Sequence, residues 1–234
     1  MRAAVVTEPG GPEVFKVLER EDPVPGPDEV LVAVKASALN RADLAQRRGG
    51  YPAPAGIAPD IPGLEMAGVV IDTGGRVTSV REGQRVFGLI GGGGYATRVT
   101  THERMLIPIP DGMSFEEAAS VPEVFFTAYD ALFTHCELVM GESVLIHAAG
   151  SGIGIAAIQL AKSAGAFTYA TASSAGKLAQ AAAIGLDVGI NYKEEDFAEI
   201  INERTESRGV DVVLDVIGAP YWERNLNSLA VRGR

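Results

Sequence analysis

The sequence predicts an α/β protein in two parts. A mostly-β first half folds as a partly open barrel, and a doubly wound parallel sheet follows it. Three observations predict this. Up to about Thr100 the chain is a series of short apolar runs broken by Gly and Pro, the pattern of antiparallel strands and tight turns. From about Ser114 apolar periodicity alternates between strand and helix four times, which demands parallel strands with right-handed crossovers. Between them, Val144-Leu-Ile-His-Ala-Ala-Gly-Ser-Gly-Ile-Gly154 reads as strand, tight turn and helix start. The expected division is 1–121 and 122–234.

The elements follow in order. Met1–Thr7 and Val14–Glu19 read as strands about the turn Glu8-Pro-Gly-Gly-Pro12. Asp22-Pro-Val-Pro-Gly-Pro27 carries three prolines in six residues and is an extended connection. Glu29–Ala36 is a strand; Pro62–Val80 supplies two apolar runs with turns between them. Gln84–Leu89 and Tyr95–Thr100 are short strands about Gly91-Gly-Gly-Gly94. Ser114-Phe-Glu-Glu117 fits a capping box. A helix from Glu123 to His135 leads to the central strand. Helices are then expected at Gly154–Ser163, Ala175–Ile184, Asp196–Thr205 and Tyr221–Ala230. Strands are expected at Phe167–Thr171, Val188–Asn191 and Val210–Ile217.

The central stretch carries the chemistry. Val144, Leu145 and Ile146 form an apolar run, as for a strand buried on both faces. Gly150, Gly152 and Gly154 let the backbone turn sharply and approach a ligand closely. A helix beginning there aims unpaired N–H groups and its positive dipole end at the turn, which suits a phosphate. The spacing is that of the dinucleotide fingerprint G-x-G-x-x-G, with Ala149 and Ser151 in place of the first two glycines. About 20 residues on, an NAD site carries an Asp or Glu for the adenosine ribose. Thr168-Tyr-Ala-Thr-Ala-Ser-Ser-Ala-Gly-Lys177 holds no carboxylate. Ser173, Ser174 and Lys177 instead suit a 2'-phosphate, so NADPH is read over NAD. The alternative is that Lys177 is an exposed helix charge and the serines are a cap.

Bulk composition narrows the function classes. Of 234 residues, 47% are hydrophobic and 21% charged, ordinary for a globular protein. The net charge of −10 argues against nonspecific binding to nucleic acid or to an anionic membrane. The single cysteine, Cys136, allows no intramolecular disulfide and no cysteine cluster for a metal. No apolar run reaches a membrane-spanning length and no signal segment is visible. A cytoplasmic location is therefore expected.

Six stretches together resemble one family: Ser37-Ala-Leu-Asn-Arg-Ala-Asp43, Gly63-Leu-Glu-Met-Ala-Gly68, Ile107-Pro-Ile-Pro110, Thr127-Ala-Tyr129, His147-Ala-Ala-Gly-Ser-Gly-Ile-Gly154 and Asn191-Tyr-Lys-Glu-Glu-Asp-Phe197. Over essentially its whole length the chain resembles the zinc-free, zeta-crystallin-like quinone oxidoreductases of the medium-chain dehydrogenase/reductase superfamily. The nearest pattern is that of the tumour-suppressor-inducible subgroup, which also places a serine before the last Gly-x-Gly of the turn. The resemblance implies a GroES-like barrel domain joined to a Rossmann domain, with the active site in the cleft between them. Zinc relatives carry a cysteine near position 40 and Gly-His-Glu near position 64, where this chain has Asn40 and Leu64. Three protein ligands for a catalytic zinc are not in place among one cysteine and His102, His135 and His147.

The resemblance further implies site roles. Asn40 and Thr127 would sit at the nicotinamide ribose, and Ser151, Gly152, Ile153 and Gly154 at the pyrophosphate. Ser174, Lys177 and Tyr192 would surround the 2'-phosphate. Ile217 and Gly218, at the end of the fourth strand, would line the cofactor groove. Tyr51 and Asn40 would border the pocket for a small-molecule quinone. Structural alternatives stand beside these: Asn40 as a turn cap, Tyr51 as loop packing, Tyr192 as core, Asp43 bonding the loop near Asn40, and His147 as a satisfied core histidine. No Ser-His-Asp or paired-carboxylate constellation is evident, and no catalytic residue is assigned.

The implied activity is NADPH-dependent quinone reduction without a metal, driven mostly by proximity and orientation. Alternatives are an enone or enoyl reductase, over which a missing acid near the acceptor would favour the quinone reading, and a non-catalytic cofactor-binding protein. The family's members with lens-structural and RNA-binding roles keep the last open, although the acidic balance opposes RNA. Full-length relatives are expected to be homodimers or larger. Four strands are counted where such sheets usually have six, so this chain is expected to be a fragment or an abbreviated domain, unstable or inactive alone.

Overall fold

A computed structural model describes residues 1–234, which divide into two compact units, Met1–Glu123 and Val124–Arg234.

In the first unit, β1 (Arg2–Val6) and β2 (Phe15–Glu19) form an antiparallel ribbon. A five-stranded antiparallel sheet has the order β6-β3-β4-β5-β7. Its strands are β3 (Glu29–Ala36), β4 (Glu65–Thr73), β5 (Arg85–Leu89), β6 (Arg98–His102) and β7 (Ile107–Pro108). The ribbon joins this sheet through the residues ahead of β6: the Ala4 N–H donates to the Tyr95 carbonyl and the Thr97 N–H to the Arg2 carbonyl. The result is the GroES-like, partly open barrel. Valines 30, 32, 70, 86 and 99 and Met66 fill its centre, as expected of β-branched residues on one pleated face.

Two short helices complete the unit. Helix α1 (Arg41–Arg47) was not anticipated, because its seven residues offer little periodicity to read. Its signal is local: Asn40 stands at the N-cap, and the Asp43 carboxylate accepts its N–H at 2.7 Å. Helix α2 (Phe115–Ala119) carries the expected capping box, with Ser114 Oγ accepting from the Glu117 N–H and Glu117 Oε2 from the Ser114 N–H. The strand expected from Tyr95 begins only at Arg98. Residues 95–97 serve instead as bonding partners of β1 and β3, with the Val34 N–H donating to the Thr97 carbonyl.

The second unit is a parallel sheet of order β10-β9-β8-β11: β8 (Ser143–Ile146), β9 (Phe167–Ala172), β10 (Val188–Asn191) and β11 (Val212–Leu214). Helices α4 (Gly152–Ser163), α5 (Ala175–Ala183) and α6 (Phe197–Arg204) make the three crossovers, and α7 (Trp222–Ser228) follows β11. Helix α3 (Pro122–Tyr129) runs on into a π-helical segment, Asp130–His135. The strand order reverses direction beside β8, which is the switch point where open α/β sheets leave a crevice for ligands. Val144 and Ile146 pack with Ile158 and Leu132 in one core, and Leu145 packs with Phe197 and Ile201 in another, so β8 is apolar on both faces.

Two expected boundaries move. Helix α4 starts at Gly152, not Gly154, because Ser151 takes the N-cap and its hydroxyl accepts from the Gly154 N–H at 3.0 Å. β11 ends at Leu214, not Ile217, because Asp215 Oδ1 accepts from the Ile217 and Gly218 N–H groups and turns the backbone out of the ladder. Ile217 and Gly218 therefore lie in the turn after the strand, not on it.

Gly68 is a tight point of the barrel sheet: a Cβ there would lie 2.3 Å from the Ala33 carbonyl oxygen and 2.7 Å from Val32 Cγ1. Gly68→Ala is expected to destabilise the first unit by about 1–3 kcal/mol, read as a lower melting temperature in a thermal unfolding scan. A melting temperature equal to wild type would show that β3 and β4 can separate freely there.

Candidate functional site

The fingerprint turn of the second unit is shaped by three backbone requirements. Ala148 adopts a left-handed conformation, with φ 58°, a strained choice for a residue with a Cβ. Its carbonyl oxygen would lie 2.3 Å from a Cβ on Gly154, so only glycine lets α4 pack down on the turn. The Gly154 N–H is taken by Ser151 and the Ile155 N–H by the Ser151 carbonyl. The Gly152 and Ile153 N–H groups remain as the outward donors of the first helical turn, at the positive end of the α4 dipole.

The end of β9 brings a cation to this turn. A Cβ on Gly150 would lie 3.1 Å from Lys177 Cδ, so the lysine stem lies across the glycine turn. Lys177 Nζ donates to Ser173 Oγ at 3.4 Å and remains exposed. Ser174 occupies the N-cap of α5, yet its hydroxyl bonds no helix N–H. Tyr192 lies at the end of β10, its N–H donating to the Ala172 carbonyl of β9, and it packs edge-on to Tyr221. It is 38% exposed and so is not core. Ser151, Gly152, Ile153, Gly154, Ser174, Lys177 and Tyr192 thus belong to one end of one sheet. Thr127 is exposed on α3.

His147 acts here through structure. Its ring is buried, with Nδ1 2.9 Å from Thr171 Oγ1 and Nε2 2.7 Å from Asn225 Oδ1. Burial pulls its pKa below the ordinary histidine value. Asn225 in turn donates to Asp215 Oδ2, and Asp215 Oδ1 holds the Ile217 and Gly218 N–H groups. A chain of hydrogen bonds from the end of β8 therefore fixes the turn that carries Ile217 and Gly218.

The first unit holds a second set of groups, built on two carboxylates. Asp43 accepts from the Asn40 N–H, from the Gly63 N–H at 3.2 Å and from the Tyr95 hydroxyl at 2.7 Å. Glu65 is 1% exposed. Its Oε1 accepts from Asn40 Nδ2 at 2.6 Å and its Oε2 from the Glu123 N–H at 2.8 Å. Burial raises the Glu65 pKa against the pull of these two donors, and the nearby Asp43 charge raises it further. Burial and the Asp43 carboxylate hold the Tyr95 phenol firmly protonated.

Asn40 and Tyr51 line separate cavities. Tyr51 borders one of about 160 Å³ with Pro52, Pro54, Leu64, Leu89 and Glu123. Asn40 borders one of about 320 Å³ with Phe15, Leu44 and Tyr95. Glu65 and Glu123 were not singled out from sequence. The available signal for Glu65 was a lone carboxylate opening an otherwise apolar strand, Glu65-Met-Ala-Gly-Val-Val70. A catalytic zinc does not fit these residues: Leu64 has no donor atom, the Asn40 amide is committed to Glu65, and no three His, Cys, Asp or Glu side chains converge on a metal-sized site.

Comparison with known proteins agrees with this architecture. The family described as "Alcohol dehydrogenase GroES-like domain" matches residues 26–111, and "Zinc-binding dehydrogenase" matches residues 152–234. The quinone oxidoreductase of Pseudomonas aeruginosa is 38% identical over 225 residues, 96% of this chain and 69% of that protein. The crystal structure of Escherichia coli quinone oxidoreductase complexed with NADPH superposes with a TM-score of 0.89 at 34% identity, covering all of this chain and 71% of that one. The CurK enoyl reductase gives a TM-score of 0.92 at 33% identity, with 100% and 72% coverage. The chain also matches a mycobacterial polyketide synthase subunit at 37% identity, but spans only 11% of that protein's length. It belongs to the medium-chain dehydrogenase/reductase superfamily, among the quinone oxidoreductase-like members.

The Glu65 environment predicts a pH signature. A carboxyl whose folded pKa is raised favours the fold while protonated, below its unfolded pKa, and loses that contribution as pH rises through the folded pKa. The stability of wild type relative to Glu65→Gln should therefore fall as pH is raised from about 4, the ordinary glutamate range, to neutrality. Denaturant unfolding of both proteins across that range reads the difference, and a difference independent of pH would contradict the buried, proton-favouring site.

Proposed function

We propose that this protein is an NADPH-dependent, zinc-independent quinone oxidoreductase of the tumour-suppressor-inducible type, acting in the cytoplasm on a small-molecule quinone. The observation that carries the proposal is the Lys177 stem lying across Gly150, beside the outward Gly152 and Ile153 N–H groups and with no carboxylate at the end of β9. Anion-seeking donors and a free cation at one sheet end suit a pyrophosphate and a 2'-phosphate, and the missing carboxylate removes the group that would repel the latter. The NADPH complex of the Escherichia coli relative supports the same reading. When bound, NADPH supplies the hydride.

The residues divide the work. Gly152 and Ile153 would hold the pyrophosphate, and Ser174, Lys177 and Tyr192 the 2'-phosphate end. Ile217 and Gly218 would flank the groove, held by Asp215. Asn40 and Thr127 would meet the nicotinamide ribose, with one Asn40 amide hydrogen already given to Glu65. Tyr51 would border the acceptor, and no metal would take part. A second reading, an enone reductase, is favoured by Glu123 on the Tyr51 cavity and by the likeness to an enoyl reductase.

Two measurements test this. Turnover of NADPH with p-benzoquinone and with cyclohexenone separates the readings: faster quinone reduction supports the first, and faster enone reduction the second. Calorimetric titration with NADPH and NADH tests the cofactor site. Lys177→Ala is expected to weaken NADPH binding about 10–100-fold, as for loss of one charge-assisted bond, while NADH binding hardly changes. Equal effects on both cofactors would remove Lys177 from the 2'-phosphate site.

A further inference from the structure

Glu123 is the one carboxyl-bearing residue on the wall of the cavity that Tyr51 borders. It opens α3 just after Pro122, where its N–H is fixed by Glu65 Oε2. Its side chain lines the 160 Å³ cavity, whose other walls are Tyr51, Pro52, Pro54, Leu64, Leu89 and Ile90. These walls are apolar apart from the Tyr51 hydroxyl, and no cation stands among them. Within this unit no donor reaches the Glu123 carboxyl to favour its charged form. The groups that do face it are acidic: Glu65 on β4, itself buried, and Asp43 on α1.

We propose that Glu123 is a proton-donating residue of the acceptor pocket, presenting a neutral carboxylic acid to the carbonyl oxygen of an uncharged quinone or enone. The inference rests on the reductase reading above and names the acid that reading leaves unassigned. Burial and the charges of Glu65 and Asp43 all raise the Glu123 pKa, which keeps the proton on at higher pH than for an exposed glutamate. The chemistry balances. A quinone takes two electrons and one proton as the hydride of NADPH, and its second proton from Glu123. Both C=O bonds become C–O–H, the O–H bond of the acid breaks, NADPH leaves as NADP⁺, and solvent returns the proton to the carboxylate.

The test uses wild type, Glu123→Gln and Glu123→Asp. Glutamine keeps the shape and a hydrogen-bond donor but has no transferable acid proton. Kcat for p-benzoquinone and cyclohexenone is measured against pH, with NADPH affinity beside it. Glu123→Gln should lower kcat about 10²-fold, abolish the fall of activity toward alkaline pH and leave the NADPH dissociation constant unchanged. Glu123→Asp should restore part of the rate. Independently of turnover, infrared difference spectra at neutral pH should show a protonated carboxylic C=O band that shifts on adding p-benzoquinone. That band should be absent in Glu123→Gln and displaced in Glu123→Asp. Wild-type kcat and an unchanged alkaline limb in Glu123→Gln would overturn the proposal, as would a protonated-acid band unaffected by either variant or by the quinone. If wild type reduces neither acceptor the reductase reading fails, while the band and its response to quinone still decide whether Glu123 is a neutral acid on a carbonyl site.

Discussion

The first unit depends on placing carboxylates in its interior and giving every oxygen a donor. Asp43 ties the start of α1, the Gly63 turn ahead of β4 and the Tyr95 segment ahead of β6 to one side chain. Glu65 ties β4 to Asn40 and to the first turn of α3. Removing a buried charge from water costs several kcal/mol unless it is paired or bonded, so these donors are obligatory. The consequence is positional: the loop bearing Asn40 and the helix start bearing Glu123 are both held to one buried atom pair. A stretch poor in regular hydrogen bonding thereby gains fixed geometry at the points where the Asn40 and Glu123 side chains leave it.

The second unit solves a related problem with neutral groups. His147 ends the central strand with both ring nitrogens engaged, and burial keeps the ring uncharged. Through Asn225 and Asp215 it fixes the turn after β11. The turn after β8 is fixed differently, by a strained Ala148, a capping Ser151 and the bare Cα of Gly154. Two turns on neighbouring strands, at the switch point of the sheet, are thus made rigid by separate devices. Rigidity there reduces the ordering cost of binding a long cofactor.

Much of this was legible in the sequence because the relevant signals are local. The β8–turn–α4 unit follows from a buried apolar run meeting spaced glycines, and the Ser114 box from two residues three apart. His147 as a satisfied core residue followed from its place at a strand end. What escaped reading depends on contacts far apart in the chain. Helix α1 is about two turns held by Asp43, whose partners include residues 63 and 95. The shortened β11 follows from an Asp215 side chain that competes with the ladder. The burial of Glu65 is set by β3 and β5 on either side of β4, and its one mark in the sequence is a carboxylate opening an otherwise apolar run.

The two carboxylate partners of Asn40 fix the geometry of its loop through hydrogen bonds from N–H and O–H donors. In zinc relatives, by the resemblance, positions near 40 and 64 supply ligands to a cation, and a cation would neutralise the neighbouring acids. Here Leu64 offers none and the Asn40 amide donates to Glu65. The Glu65 oxygens are met by N–H dipoles, which satisfy them but neutralise no charge. The unpaid electrostatic cost reappears as raised proton affinity in Glu65 and Glu123.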